Sequence, residues 1–75
     1  MKNNVYLNNY KLFVNTFKNY NSIWEHLDFL VNERKKHSII ETSIIVPYDD
    51  EGFVIFDLVS YSENLFIYTF STTAK

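Results

Sequence analysis

The chain of 75 residues has no cysteine, one glycine and one proline. Without cysteine there are no disulfides and no thiolate zinc sites, which fits a reducing cytosol. A single glycine cannot build a phosphate-cradling loop, and no G-x-S-x-G nucleophile elbow is present. Long apolar runs are also missing. FVIF at 53–56 is stopped by Asp57, and the stretch MKNNVYLNNYKLF has no apolar segment of signal-peptide length. Nothing approaches the ~20 residues of a membrane span. Between Ile39 and Ala74 there is no basic residue at all. These absences lead us to expect one small, cytoplasmic domain with no cofactor, no metal and no membrane partner.

What is abundant is aromatic: seven Phe, six Tyr and one Trp. A chain this short buries only roughly 60–65% of the surface it exposes when unfolded. Large rings are one remedy for so thin a core, because each removes much apolar area from water. Oligomerisation or a partner is another. Net charge is −2, but it is unevenly spread. Residues 1–38 hold six Lys/Arg against three Asp/Glu, whereas residues 39–75 hold one against six. A surface built from the second half repels polyanions.

The two halves differ in period. Tyr10, Phe13, Phe17, Tyr20, Trp24, Leu27 and Val31 step by three and four, a helical stripe. Ser22 followed by Glu25 reads as a capping box, so the stripe predicts a helix over 22–36 ending in Arg34, Lys35 and Lys36. A separate helix is expected over 9–19, with a strand as the rival because Tyr10, Leu12 and Val14 alternate as well. Trp24 is expected to anchor the core. From residue 39 the period becomes two, giving strands over 39–46, 53–61 and 65–71. Turn residues at PYDDEG and at SEN (62–64) join them at hairpin spacing. The expected fold is α+β, with the helical half packed on a three-stranded antiparallel meander.

Candidate chemistry is sparse. Asp49, Asp50 and Glu51 precede Gly52, yet the calcium-loop pattern fails, since Leu58 stands where a chelating glutamate belongs. The stretch reads as a turn in which Pro47 fixes φ and Gly52 supplies positive φ. On a helix, His26 lies roughly 10 Å from Glu33, and only Glu33 and His37 have chelating spacing. Glu25 and His26 diverge by about 100°, and Ser60 and Ser62 have no basic neighbour. No enzymatic activity is expected. Direct nucleic-acid binding is not expected either. It would fall to Lys11, Lys18, Arg34, Lys35 and Lys36, and the aromatic strand 65–71 lacks the basic positions of an RNA-binding sheet.

The strands carry the main signal. Alternation assigns Ile40, Thr42, Ile44, Val46, Val54, Phe56, Leu58, Phe66, Tyr68 and Phe70 to a face against the helices. The other face takes Glu41, Ser43, Asp57 and Thr69, but also Ile39, Ile45, Phe53, Ile55, Val59, Tyr61, Leu65 and Ile67. A sheet with one wet face should alternate cleanly between apolar and polar. So much apolar surface implies a cover: a second copy, another protein or the chain's own N-terminal segment. We therefore expect a small protein-binding module, an inhibitor or regulator that blocks a surface of a larger macromolecule, and a homodimer in solution. Its contacts are expected from Asp49, Asp50, Glu51, Phe53, Ile55, Asp57, Tyr61 and Ile67. The acids would favour a basic partner, such as a nucleic-acid-processing enzyme. The alternatives are a structural homo-oligomer or assembly subunit and a weak nucleic-acid binder. The short, cysteine-free, aromatic and Asn/Lys/Ile-rich profile resembles the small accessory proteins of AT-rich bacteria and their phages, including anti-CRISPR-type inhibitors. No residue role is carried over from that likeness.

Overall fold

A computed structural model describes residues 5–48, 52–63 and 65–74. The order of elements is β1 (Val5–Leu7), α1 (Tyr10–Thr16), α2 (Tyr20–Lys36), β2 (Ser43–Tyr48), β3 (Gly52–Ser62) and β4 (Leu65–Ala74). The fold is α+β: two helices on a four-stranded mixed sheet of order β1-β4-β3-β2. The expected meander β2–β3–β4 is antiparallel throughout. The expectation of three strands is corrected by β1, which pairs parallel to β4 with Val5 opposite Phe66 and Leu7 opposite Tyr68. The segment before the helices thus joins the sheet edge. The main-chain amide of Asn8 extends this pairing by donating to the Tyr68 carbonyl at 2.8 Å.

The helical stripe is divided in two as expected, but α1 stops at Thr16 instead of running to residue 19. Phe17 is extended at φ −114° and ψ 130° and ends α1. The second helix starts at Tyr20, not at Ser22, because the Asn19 carbonyl accepts the amides of Ser22 and Ile23. The Ser22–Glu25 pair therefore lies inside the helix. Phe13 and Phe17 from α1, and Ile23, Leu27 and Val31 from α2, enter one core with Val5, Leu7, Ile44, Val46, Val54, Phe56, Phe66 and Tyr68. Aromatic rings dominate its centre. Phe13 meets Phe56 edge-on at 5.9 Å and Phe70 at 5.3 Å, and Phe17 meets Tyr48 at 4.9 Å. These edge-to-face contacts suit the ring quadrupoles and add to area burial. Trp24 is half-buried at the margin of this core, 5.9 Å from Tyr10, and so is a packing residue beside the core, not its centre.

Strand β2 begins later than the period suggests. Residues 37–42 follow the end of α2: the amides of His37 and Ile39 donate to Arg34, that of Ser38 donates to Lys35, and Ser38 turns left-handed at φ 60°. Ile39 and Ile40 therefore stay exposed outside the sheet. Pro47 belongs to β2 itself, opposite Phe53. A proline lacking its N–H is tolerated there because β2 is an edge strand. Gly52 is the first residue of β3, buried and nearly extended at φ 159°, and does not supply a left-handed turn position. The β3–β4 hairpin turns at Glu63, whose φ of 50° is what a tight two-residue turn requires. Asp49, Asp50 and Glu51 lie outside the described residues, and so does the expectation placed on them.

Candidate functional site: the outer face of the sheet

Both helices lie on one face of the sheet, and alternation along the strands decides which side chains they cover. Ile44, Val46, Val54, Phe56, Phe66 and Tyr68 point inward and are buried. Leu58 and Phe70 are half-buried against the same core. Cross-strand partners share a face, so the ladder also defines the outer surface row by row. Pro47, Phe53 and Thr73 form one row; Ile45, Ile55 and Ser71 the next. Then come Ser43, Asp57 and Thr69. Beyond a register shift, Ser60, Ile67 and Tyr6 form a fourth row, with Ser62 and Leu65 after it. Among the described residues, no element lies over this face. Ile45 is 59% exposed, Tyr6 55% and Leu65 39%. Phe53, Ile55 and Ile67 are half-buried among their strand neighbours.

The register shift between Leu58 and Ser60 corrects one expected contact. Leu58 pairs with Tyr68, but Ser60 pairs with Ile67, leaving Val59 as an inserted residue without a ladder partner. A bulge of this kind moves every later side chain of the strand to the opposite face. Tyr61 is consequently opposite Phe66 on the helix-side face, its ring stacked on Phe66 at 5.9 Å, and does not join Ile55 and Ile67. Phe53, Ile55, Asp57 and Ile67 do share the outer face. Tyr6, which the sequence reasoning left out, joins them because β1 enters the sheet. Its available signal was weak: Val5, Tyr6 and Leu7 are three apolar residues whose alternate burial is set by the pairing with β4.

The outer face is therefore not one patch. A polar band, Ser43–Asp57–Thr69, separates a group of Ile45, Pro47, Phe53 and Ile55 from a group of Tyr6, Ile67 and Leu65. Asp57 is exposed, and it is the one charged side chain in these rows.

Elsewhere several polar groups hold the fold. Arg34 Nε donates to Glu41 Oε2 at 2.9 Å, which ties the end of α2 to the segment entering β2. The Tyr68 hydroxyl donates to the Glu41 carbonyl at 2.9 Å. Burial, reinforced by the Glu41 carboxylate, pushes the Tyr68 phenol up from 10.0 to about 12. Lys36 Nζ lies 3.9 Å from Glu33. The basic end of α2 is thus partly neutralised by neighbouring carboxylates. No group of three or more His, Asp or Glu among the described residues is arranged to hold a metal ion. A cleft of about 360 Å³ at the β1 edge is lined by Val5, Tyr6, Leu7, Tyr10 and Trp24, with no carboxylate, imidazole or amine. No described helix is long and apolar enough to cross a membrane.

Compared with known proteins, the chain matches no family model, no curated protein and no solved structure.

Proposed function

We propose that this chain is a small, non-enzymatic binding module of the cytosol that acts by seating the outer face of its sheet on a larger protein, as an inhibitor or regulator does. The observation that carries this reading is the exposed pair of apolar groups around Ile45 and Ile67, on the side of the sheet opposite both helices. Apolar side chains grouped on one face support an interface where scattered single residues do not. The contacts are assigned to Phe53, Ile55, Asp57 and Ile67, with Ile45 and Tyr6 added by the register.

Phe29 supplies an internal control. It is 62% exposed, but it sits alone on the solvent side of α2. Single exposed apolar residues are common and carry no functional weight. The test is therefore a comparison of three immobilised baits: wild type, Ile45→Glu and Phe29→Glu. A protein retained from a bacterial lysate by the first and third, and lost by the second, is the expected result. Equal retention by all three contradicts the reading.

A two-fold homodimer is the second reading, favoured by the same exposed face on a chain whose own core is small. It predicts a light-scattering mass above 9.0 kDa for wild type. It also predicts that Ile45→Glu restores the monomer.

A further inference from the structure

We infer that the outer face recognises a protein segment presenting an arginine between two apolar side chains, with Asp57 as the arginine's counter-ion. This rests on the binding reading above and specifies the chemistry of the partner. Charge complementarity identifies the partner. Asp57 stands in the centre of the face, on β3, with Ser43 on one neighbouring strand and Thr69 on the other. Among the described residues, no side-chain hydrogen bond or ion pair engages any of these three. Residues 39–74, which include all of β2, β3 and β4, contain no Lys, Arg or His.

Geometry sets the rest. Side chains two residues apart on a strand face are separated by roughly 7 Å. Ile55 therefore lies about that far to one side of Asp57, and the Ile67 row lies on the other side, past the bulge. A ligand lying along the strand direction, from Ile55 on β3 towards Ile67 on β4, meets apolar, then anionic and hydroxylated, then apolar surface. A guanidinium fits the middle position better than an ammonium. Its planar fork bonds a carboxylate through two N–H groups and leaves others for flanking hydroxyls, while its faces tolerate apolar neighbours. A second copy of this chain is a poorer occupant of the centre of the face when the two-fold axis passes at Asp57. Asp57 would approach Asp57, and the described outer rows offer no cation to separate them.

The probe is a random 12-residue peptide library displayed on phage and selected against the wild-type chain. The expected binders carry one enriched arginine with apolar residues on both sides. A synthetic representative should lose at least ten-fold in affinity against Asp57→Asn and against Ile45→Glu, and little against Phe29→Glu. Replacing its arginine with lysine should weaken it several-fold, and its affinity should fall with added salt. Binders lost with Ile45→Glu but indifferent to Asp57→Asn, and without a cation, would overturn this inference while leaving the binding reading intact. Binders indifferent to both substitutions would overturn both. A library that yields no binder would overturn the assignment of a short cationic segment. Circular dichroism of each variant confirms that lost binding is not lost folding.

Discussion

Isoleucine and phenylalanine stand on both faces of the sheet, yet they are used differently. Ile44 and Ile45 are neighbours in β2. Ile44 is buried under the helices, and Ile45 is open to solvent. Val54 and Phe56 alternate with Phe53 and Ile55 in the same way along β3. Hydrophobicity alone thus does not say which residues hold this protein together. Position relative to the helices does. On the inner face a lost methylene leaves a cavity in close-packed surroundings. At Ile45 on the outer face it removes surface that is mostly still in water.

The largest predicted effect is on the inner face. Phe56, fully buried and edge-on to Phe13, should cost about 3–5 kcal/mol on truncation to alanine. That is much of the stability a domain this size holds, so Phe56→Ala should be largely unfolded by urea titration. Its outer-face counterpart, Ile45→Ala, should stay within about 1 kcal/mol of wild type. A similar cost for both would erase the distinction between the faces.

Trp24→Ala falls between them. The ring is half-buried and touches Tyr10 and Phe13, at 5.9 and 6.3 Å. Its loss should cost less than that of Phe56, about 1–3 kcal/mol, and a melting curve should show a folded but less stable protein.

Tyr68 sharpens the comparison through pH. Its phenol is neutral in both folded and unfolded chains below pH 10, so its contribution is complete there. As pH rises from 10 towards about 12, the unfolded chain ionises first and stability is lost through this window. Tyr68→Phe should cost about 1–2 kcal/mol at neutral pH, because the Glu41 carbonyl loses its donor. It should also reduce the alkaline loss. A titration of unfolding free energy between pH 8 and 12 checks both.

How much of this was legible in the sequence depends on how local each signal is. The helices and the three-strand meander declare themselves through a change of period from 3.6 to two, and the hairpins through their spacing. The outer placement of Phe53, Ile55, Asp57 and Ile67 follows from alternation alone. Strand β1 did not show itself. It has three residues, and its partner β4 lies at the other end of the chain, so no turn or spacing announces the parallel pairing. The bulge at Val59 was equally silent, lacking a glycine or proline to mark it, and it moved Tyr61 to the other face. The start of β2 was displaced by hydrogen bonds to the end of α2, which no propensity encodes.

The central claim is that the outer face is open in the isolated chain and free to receive a partner. Solvent paramagnetic relaxation of the isoleucine methyl groups, at a concentration where light scattering reports a monomer, tests this most directly. The account predicts strong relaxation for Ile45, intermediate relaxation for Ile55 and Ile67, and protection for Ile23 and Ile44. Protection of Ile45 and Ile55 equal to that of Ile44 would mean that the chain covers this face itself, and would contradict the account.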